Sequence, residues 1–386
     1  MRSHTTNGTP VYLVIERDLR RQIEARKLAP GTKLPVEKAL CRKYEVSRAT
    51  LRKALRILAD DGLILAVTGR GTFVTDPSDP ELNEIRRRRR QVRRTGKTIA
   101  ALIPSITMSH YPPIIRGIED ECLRHDFQLT LGNFDLDLAK EAHYLRTFME
   151  TGVRGVLVAP HYASSENPEY RRLQRRGIPL VLADSPIQGI DADLVATDNE
   201  KGAYEGAKLL IATGARRIAF VSGWMQAVTC RDRFAGFGRA MSEAGLAVDK
   251  RLVDEGEFTA EFGQALWRER LCSERLDGIF CANDPIATGL LQAMAASGRA
   301  PDRPVRMVSF DQPDVPFLFP CELIVVAQQR YEMGATACRL LLERLQAEQV
   351  ANGNGQETLD QARTTGSRTV LLSPTVSQTA PAGVTQ

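Results

Sequence analysis

Long apolar runs, metal-binding motifs and an export signal are all missing from this sequence of 386 residues. No apolar run approaches the ~18 residues that a membrane-spanning helix needs, and residues 1–12 lack the apolar core of a signal peptide. The seven cysteines form no CxxC pair, and the five histidines show no HExxH spacing. We therefore expect a cytoplasmic protein with free thiols, no bound metal and no membrane partner.

The charge of the chain is unevenly distributed. The overall net charge is +5, but residues 1–97 contain 23 Lys and Arg against 11 Asp and Glu, which gives +12. The remaining residues carry a net charge of −7. A basic N-terminal part on an acidic body predicts a polyanion as the partner of the N-terminal part only.

The basic part contains a helix-turn-helix pattern between residues 30 and 74. Ser47 is placed to cap a helix, and Leu51, Ala54, Leu55 and Leu58 then recur at helical spacing. Arg48, Arg52 and Arg56 recur every four residues, so they form a cationic stripe on a neighbouring face. A helix with one buried stripe and one arginine stripe suits insertion into the major groove of DNA.

A small hairpin follows this helix. Residues 63–68 and 72–75 read as two short strands around Gly69-Arg70-Gly71. Glycines at the tip allow close approach of the backbone to a groove or phosphate, and Arg70 adds positive charge. The hairpin therefore predicts the wing of a winged helix-turn-helix.

The combined pattern PGTKLPVEKAL, VSRATLRKAL, GLI and GRGTFV resembles the winged helix-turn-helix of GntR-type transcription regulators over residues 10–76. One departure is Val36, where the family usually has a capping serine. The resemblance also assigns Lys38 to the DNA backbone or a base edge, with a solvated lysine as the alternative. The predicted DNA-binding residues are Lys38, Ser47, Arg48, Thr50, Arg52, Gly69, Arg70 and Gly71.

An arginine run separates the basic part from the body. Residues 86–90 are five consecutive arginines, which cannot be buried without partners. We interpret residues 77–97 as a linker, and a phosphate contact by the run stays open as an alternative.

From residue 98 onwards, apolar strands alternate with helices, which predicts parallel sheets covered on both faces. Strands are expected at residues 98–104, 127–133, 154–160, 178–184, 217–223, 276–284, 305–311 and 368–374. Ligand-binding residues should then follow the carboxyl ends of the strands. The residues found there are mostly polar with one large aromatic, which suits a polyhydroxylated ligand.

Segments such as IPLVLAD, DRFAGFGRAM, LDGIFCANDPIATGLLQAM and MVSFDQPD resemble the effector domain of LacI/GalR-type regulators. That domain has the two-lobed α/β fold of periplasmic sugar-binding proteins, and the resemblance covers residues 98–376. Matched positions imply that Asp184, Arg233, Asn283, Asp311 and Gln328 contact or frame the effector. Thr229 and Arg231 lie beside Arg233 in what we expect to be one loop. Tyr111, His161 and Trp224 are also predicted to bind the effector, because of their position and side-chain chemistry.

Other roles stay open for several of these residues. Asp184 is also suited to capping a helix, Arg233 to a structural ion pair, and Trp224 to the core. Two departures from the LacI pattern are Ser309 and Gln312, and the hinge helix of that family is replaced by the arginine linker. We expect residues 346–367 to form a surface loop and residues 377–386 a disordered tail.

The sequence thus predicts a DNA-binding transcription regulator, with a repressor favoured over an activator. A GntR-type head on a LacI-like body resembles the arabinose-responsive repressors. We expect a homodimer on a palindromic operator, an effector that is a monosaccharide or a derivative, no cofactor and no enzymatic activity. The rival is a head fused to an aminotransferase-like body, but the four lysines of the body match no cofactor-binding strand.

Overall fold

The computed structural model describes residues 5–6, 9–67, 70–75, 97–297, 305–315, 321–354 and 366–379. Its residues group into two compact units. The first unit contains residues 1–98, 145–154 and 168–179, and the second contains residues 99–144, 155–167 and 180–386. Gly69, the arginine run at 86–90 and residues 380–386 lie outside the described residues. The predicted boundaries of the DNA-binding domain, the linker and the effector domain stay predictions.

Three helices and a hairpin form the winged helix of the first unit. The helices are α1 (Val11–Glu24), α2 (Glu37–Lys43) and α3 (Arg48–Asp60). Two strands of two residues each, β1 (Thr5–Thr6) and β2 (Thr9–Pro10), precede α1. The hairpin follows α3 and consists of β3 (Ile64–Val67) and β4 (Gly71–Val74), which pair antiparallel. Gly62 ends α3 with a φ of 73°, a conformation that favours glycine. The arrangement confirms the predicted helix-turn-helix with a wing.

A small apolar core holds the winged helix together. The α3 residues Leu51, Ala54 and Leu58 are fully buried, with Ile15 and Leu19 of α1 beside them. Burying a leucine side chain contributes about 1.5–3 kcal/mol relative to leaving it exposed. The apolar stripe therefore fixes which face of α3 points inward, and it leaves the arginine stripe to solvent.

The second unit is built on two six-stranded sheets. In the first sheet, the strand order is β6 (Gln128–Asn133), β5 (Thr98–Ile103), β7 (Val156–Val158), β8 (Leu180–Ala183), β9 (Asp193–Thr197) and β15 (Thr369–Leu372). The recorded pairs of neighbouring strands are parallel. Along the chain, the helices of this part are α4 (Tyr111–Arg124), the first half of α5 (Leu138–Thr151) and, later, α11 (Arg330–Asn354). Residues 145–151 of α5 and the whole of α6 (Glu169–Arg175) belong to the first unit.

The second sheet has the order β11 (Val253–Gly256), β10 (Ile218–Gly223), β12 (Gly278–Cys281), β13 (Arg306–Phe310), β14 (Leu323–Ala327) and β16 (Thr375–Thr379). All neighbours are parallel except β14 and β16, which are antiparallel. Its helices are α7 (Asn199–Ala212), α8 (Val228–Glu243), α9 (Ala260–Glu269) and α10 (Asp284–Ala296). The predicted class of two α/β lobes with mostly parallel sheets is therefore confirmed.

The chain passes three times between the part built on the first sheet and the part built on the second. The crossovers follow β9, β14 and β15, at residues 198, 328–329 and 373–374. Helices pack closely around them: a Cβ added to Gly117 of α4 would lie 2.1 Å from the backbone oxygen of Tyr331 in α11. Only glycine permits this approach of the two helices.

Several sequence-based expectations were wrong in detail. Residues 346–354 continue α11 instead of forming a loop, and residues 377–379 of the expected tail form part of β16. Strands β9, β11 and β14 form where the sequence analysis did not predict a strand. No helix in the described parts of the chain is both long and apolar enough to cross a membrane.

Candidate DNA-binding surface and effector cleft

The N-terminus of α3 is capped as predicted. The backbone N–H of Thr50 donates a hydrogen bond to Ser47 Oγ at 3.2 Å, and the two hydroxyl oxygens lie 2.9 Å apart. Helix α2 lacks such a cap, because Val36 precedes it and makes no side-chain hydrogen bond there. The cap fixes where α3 begins and therefore which side chains form its first exposed turn.

Seven of the eight predicted DNA-binding residues lie in the described part of the first unit. Thr50 is half-buried, and the other six are exposed: Lys38, Ser47, Arg48, Arg52, Arg70 and Gly71. Arg52 Nε donates to both carboxylate oxygens of Glu37, at 3.0 and 3.1 Å, and this partner raises the pKa of Arg52. With 68% of its side chain exposed, Arg52 stays accessible to a phosphate or base edge.

The wing approaches Lys33 closely at Gly71. This glycine has a φ of 114°, and a Cβ there would lie 2.6 Å from Lys33 Cε. The position therefore favours glycine both for its backbone angle and for space. Arg70, next to it at the tip, is exposed.

In the second unit, a large cleft opens where the strands of both sheets end. Its volume is about 1080 Å³, and we call it the outer cleft. Residues that follow β5, β7 and β8 line one side, and residues that follow β10 and β11 line the other. The position agrees with the rule that ligands bind beyond the carboxyl ends of parallel strands.

A second, much smaller space adjoins the outer cleft. Its volume is about 80 Å³, and we call it the inner cavity. The two spaces share the lining residues Met108, Tyr111, Asp184, Thr229 and Phe258. The other lining residues of the inner cavity include His110 and the buried residues Arg233, Asn283, Asp284 and Asp311.

All ten predicted effector-binding residues line one of these two spaces. Three line both, namely Tyr111, Asp184 and Thr229. Three line only the outer cleft, namely His161, Trp224 and Arg231. Four line only the inner cavity, namely Arg233, Asn283, Asp311 and Gln328. The set that the sequence singled out is thus brought together, but it is divided between two chambers of different size.

A histidine that the sequence analysis did not single out connects the two carboxylates of this set. His110, just before α4, places Nε2 3.2 Å from Asp184 Oδ1 and Nδ1 3.8 Å from Asp311 Oδ2. Asp184 follows β8 of the first sheet, and Asp311 follows β13 of the second. His110 therefore contacts a carboxylate on each side of the site.

The three side chains stabilise one another's charges. Burial by itself lowers the pKa of His110, but Asp184 and Asp311 outweigh that effect and raise the pKa to about 9. Burial favours the neutral form of Asp311, yet His110 and Arg330 lower its pKa to about 2. The pKa of Asp184 also lies below its usual value, because the His110 cation outweighs burial. At neutral pH the cluster is a cation between two carboxylates.

Asp311 is also bound by the chain crossover that follows β14. Gln328 donates to it twice, from its backbone N–H at 2.9 Å and from Nε2 at 2.6 Å. Thr197, at the end of β9 and beside another crossover, donates to Gln328 Oε1 at 2.7 Å. Both Asp311 and Asp184 adopt positive φ angles, 61° and 74°. The hydrogen bonds among Asp311, Gln328 and Thr197 stabilise the crossovers that follow β9 and β14. Asp184 caps no helix in the described part of the chain.

Arg233 is likewise engaged by protein groups. Its Nε donates to Asn199 Oδ1 at 2.7 Å, its Nη1 donates to the carbonyl of Ala282, and its guanidinium lies 4.0 Å from the ring centre of Phe310. The side chain therefore has structural partners, although these are not the carboxylates suggested as an alternative.

Asn283 and Asp284 begin helix α10 instead of ending a strand, which corrects the expected strand at 276–284. Asn283 Oδ1 accepts from the N–H of Ile286 at 3.0 Å, while its buried Nδ2 has no hydrogen-bond partner among the described residues. Ser109 donates to Asp284, whose pKa is raised by burial. Thr229 and Arg231 similarly lie in the first turn of α8, not in a loop.

Ser109 and His110 could have been found from their position. They fall between β5 and α4, which is where the rule of strand ends expects functional residues. Across the described residues, no group of three or more His, Cys, Asp or Glu side chains is placed to hold a metal ion.

Comparisons with known proteins identify the family that each part of the chain resembles. The gntR family of bacterial regulatory proteins matches residues 11–74, and the periplasmic binding protein-like domain matches residues 207–361. The HTH-type transcriptional regulator RegA of Clostridium saccharobutylicum is 31% identical over 261 residues, which cover 67% of this chain and 78% of that protein. The ribose operon repressor of Bacillus subtilis (strain 168) is 30% identical, covering 65% and 74%. The chain belongs to the bacterial HTH-type transcriptional regulators.

Solved structures share the fold of this regulator. The transcription regulator CcpA of Lactococcus lactis is 26% identical with a TM-score of 0.61, covering 74% of this chain and 98% of that one. A complex of the transcriptional regulator CelR with cellobiose, 23% identical, has a TM-score of 0.62 and covers 91% and 100%. The regulator combines a GntR-type head with a body similar to those of LacI-type repressors. These relatives are regulators, and they give the rival aminotransferase interpretation no support.

Proposed function

We propose that this regulator is a homodimeric repressor that binds a palindromic operator and releases it when a sugar occupies the site between the two sheets. The observation that carries the proposal is the convergence of all ten predicted effector residues on two adjoining chambers. The ribose operon repressor of Bacillus subtilis, 30% identical, is a repressor by name. Because operator DNA is its partner, the regulator acts in the cytoplasm.

The proposed DNA contacts are the exposed side chains of α3 and the wing. Arg48 and Arg52 read bases in the major groove, because an arginine binds two acceptors of guanine at once. Lys38 and Arg70 neutralise phosphates, which adds affinity without sequence preference. A two-fold symmetric dimer places two such heads on the half-sites of an inverted repeat.

The proposed control is linkage between two binding events. A sugar shifts the regulator toward a form with low operator affinity only if it binds that form more tightly than the other. The coupling in such systems is typically about 1–3 kcal/mol. The body has no catalytic role in this scheme, and we propose no enzymatic activity.

Selection of duplexes from a random pool by the purified chain tests the proposal. We expect an inverted repeat bound by two chains in analytical ultracentrifugation, and weaker binding when a neutral sugar from a broad panel is added. An asymmetric site bound by one chain would contradict the dimer. A spectrum showing a bound pyridoxal phosphate aldimine would instead support the rival enzyme.

A further inference from the structure

The first unit contains two segments from later in the chain in addition to the winged helix. Residues 145–154 include the end of α5, and residues 168–179 include all of α6. We call these two ranges the docking segments. Ion pairs connect them to α3 and to the residue that follows it. The helix that we propose to enter the major groove is therefore held by parts of the chain that are distant in sequence.

The ion pair between Asp61 and Arg172 is largely buried, with side chains 7% and 15% exposed. Asp61 directly follows α3, and its Oδ1 accepts from Arg172 Nε of α6 at 3.0 Å. Arg20 of α1 also donates to Asp61. Arg172 Nη1 in turn lies 3.6 Å from Glu169 Oε2, and Glu169 accepts from Arg146 of α5 at 3.2 Å. Because buried charges are screened less than exposed ones, this chain of alternating charges is the stronger part of the contact.

A second ion pair involves the arginine stripe of α3 itself. Arg56 continues the spacing of Arg48 and Arg52, and its Nη2 lies 3.4 Å from Glu150 Oε2 of α5. The two side chains are 59% and 48% exposed, so this pair contributes little to stability. Its place is what matters, because a carboxylate lies beside an arginine of the face that meets DNA. A DNA phosphate and Glu150 repel each other, so they compete for Arg56.

The segment at residues 161–167 leads from the outer cleft directly to α6, which begins at Glu169. Three residues of this segment line the cleft: His161, Tyr162 and Ser165. Glu141, a fully buried residue of α5, fixes the segment by accepting from Ser164 Oγ at 2.6 Å and from Asn167 Nδ2 at 2.8 Å. A ligand that moves this segment therefore also moves the start of α6, to which it is joined by the chain.

We propose that the docking segments bind α3 in competition with operator DNA, and that α6 carries the state of the outer cleft to the winged helix. This inference rests on the proposed function, because it names the regulation of the same operator-binding surface. When α3 is docked, Glu150 lies beside Arg56. When operator is bound, a phosphate takes the place of that carboxylate. An effector that strengthens the contact between Arg172 and Asp61 then lowers operator affinity, as expected for a repressor released by its ligand.

The affinity of full-chain variants for the duplex selected by the wild type tests the competition. Glu150→Gln removes the carboxylate beside Arg56 and should tighten binding about twofold to fivefold, since exposed ion pairs are weak. Arg172→Met breaks the largely buried pair but keeps an apolar stem, and it should tighten binding roughly tenfold. Glu166→Gln removes an equal charge from an exposed residue outside the docking segments and should leave the affinity unchanged.

A gain in affinity is the decisive result, because general destabilisation of the chain would weaken binding instead. Thermal unfolding of each variant is measured alongside. If Arg172→Met lowers the melting temperature strongly, the exposed change Glu150→Gln still decides. Operator affinity that stays at or below the wild-type value in Glu150→Gln would overturn the competition.

Glu141→Gln tests the route through α6 without a ligand. The change replaces one acceptor oxygen by an amide N–H₂ group, which cannot accept from Ser164 or Asn167, and so loosens the segment at 161–167. We expect operator binding to tighten, and we expect little further gain when Glu141→Gln is added to Arg172→Met, because the two residues act in series. Fully additive gains, or no gain from Glu141→Gln, would overturn this route.

The duplex selection separates this inference from the proposed function. If the wild-type chain selects no duplex, the proposed function is wrong, and the inference falls with it. If the chain binds its duplex tightly and both Glu150→Gln and Arg172→Met bind it as the wild type does, only the docking inference is wrong.

Discussion

The arginines of α3 and the charged cluster around His110 place similar groups in opposite environments. Arg52 keeps 68% of its side chain exposed beside Glu37, whereas the side chains of His110 and Asp311 are 15% and 3% exposed. Exposed ion pairs contribute little to stability, so the cations of α3 remain available for a partner. Removing one member of a buried pair leaves an uncompensated charge. Burial therefore separates residues that bind a partner from residues that hold the fold.

Asp311→Ala is expected to lower the free energy of unfolding more than any other change considered below. The change removes the acceptor of two hydrogen bonds from Gln328 and leaves His110 with one carboxylate fewer. Breaking a buried pair in this way costs about 3–5 kcal/mol. Urea denaturation should show that loss, whereas Glu257→Ala, an exposed carboxylate of the outer cleft, should leave stability nearly unchanged. Wild-type stability with abolished sugar binding would make Asp311 a ligand residue instead.

The pH dependence of stability should follow His110. Its pKa is raised from the usual 6.5 to about 9, so its stabilising contribution is fully present below about pH 6.5 and is lost as the pH rises through 9. A shift of this size corresponds to roughly 3 kcal/mol. The stability difference between wild type and His110→Gln should therefore shrink between pH 6.5 and 9.5. A constant difference, or the same trend in His125→Gln, whose side chain is 45% exposed, would contradict the assignment.

The low pKa of Asp311 predicts the acid limit of the same cluster. Because this pKa is about 2, below the usual 3.9, its contribution is present above about pH 4 and is lost as the pH falls through 2. Asp311→Asn should accordingly remove part of the acid dependence of unfolding. Denaturation curves between pH 2 and 5 are the measurement, and an unaltered acid profile would speak against this pKa.

The exposed arginines should behave in the opposite way. Arg48→Ala and Arg52→Ala are each expected to weaken operator binding by about 1–3 kcal/mol, because a bidentate contact with guanine is lost. Thermal stability should stay close to wild type, since both side chains are exposed. Fluorescence anisotropy with operator and random DNA is the measurement. Equal losses on both DNAs would make the arginine a phosphate contact.

The smallest expected effect concerns the missing cap of α2. Val36 has an extended backbone, with φ −58° and ψ 149°, and makes no cap hydrogen bond. A serine there could accept from an otherwise unpaired N–H, as Ser47 does for α3. Val36→Ser should stabilise the first unit by about 0.5–1 kcal/mol in denaturation experiments. Ser47→Ala is the matched reverse change and should destabilise it by a similar amount.

The two regions also differ in how far sequence could predict them. The face of α3 follows from local helical spacing, so Ser47, Leu51 and Arg52 were placed correctly without knowledge of the tertiary fold. The partners of His110 come from distant strand ends in two different sheets, and no local pattern joins them. The strand β16 was missed because its polar residues Ser377 and Gln378 look like a tail, although pairing with β14 determines its structure.

Reciprocal titration tests the central claim most directly, namely that one sugar site controls one operator site. Operator affinity is measured with and without a saturating sugar, and the affinity for that sugar is measured with and without operator. Thermodynamic linkage requires both affinities to fall by the same factor, which we expect to be about 5–150-fold. A sugar that binds at the site but leaves operator affinity unchanged would contradict the account.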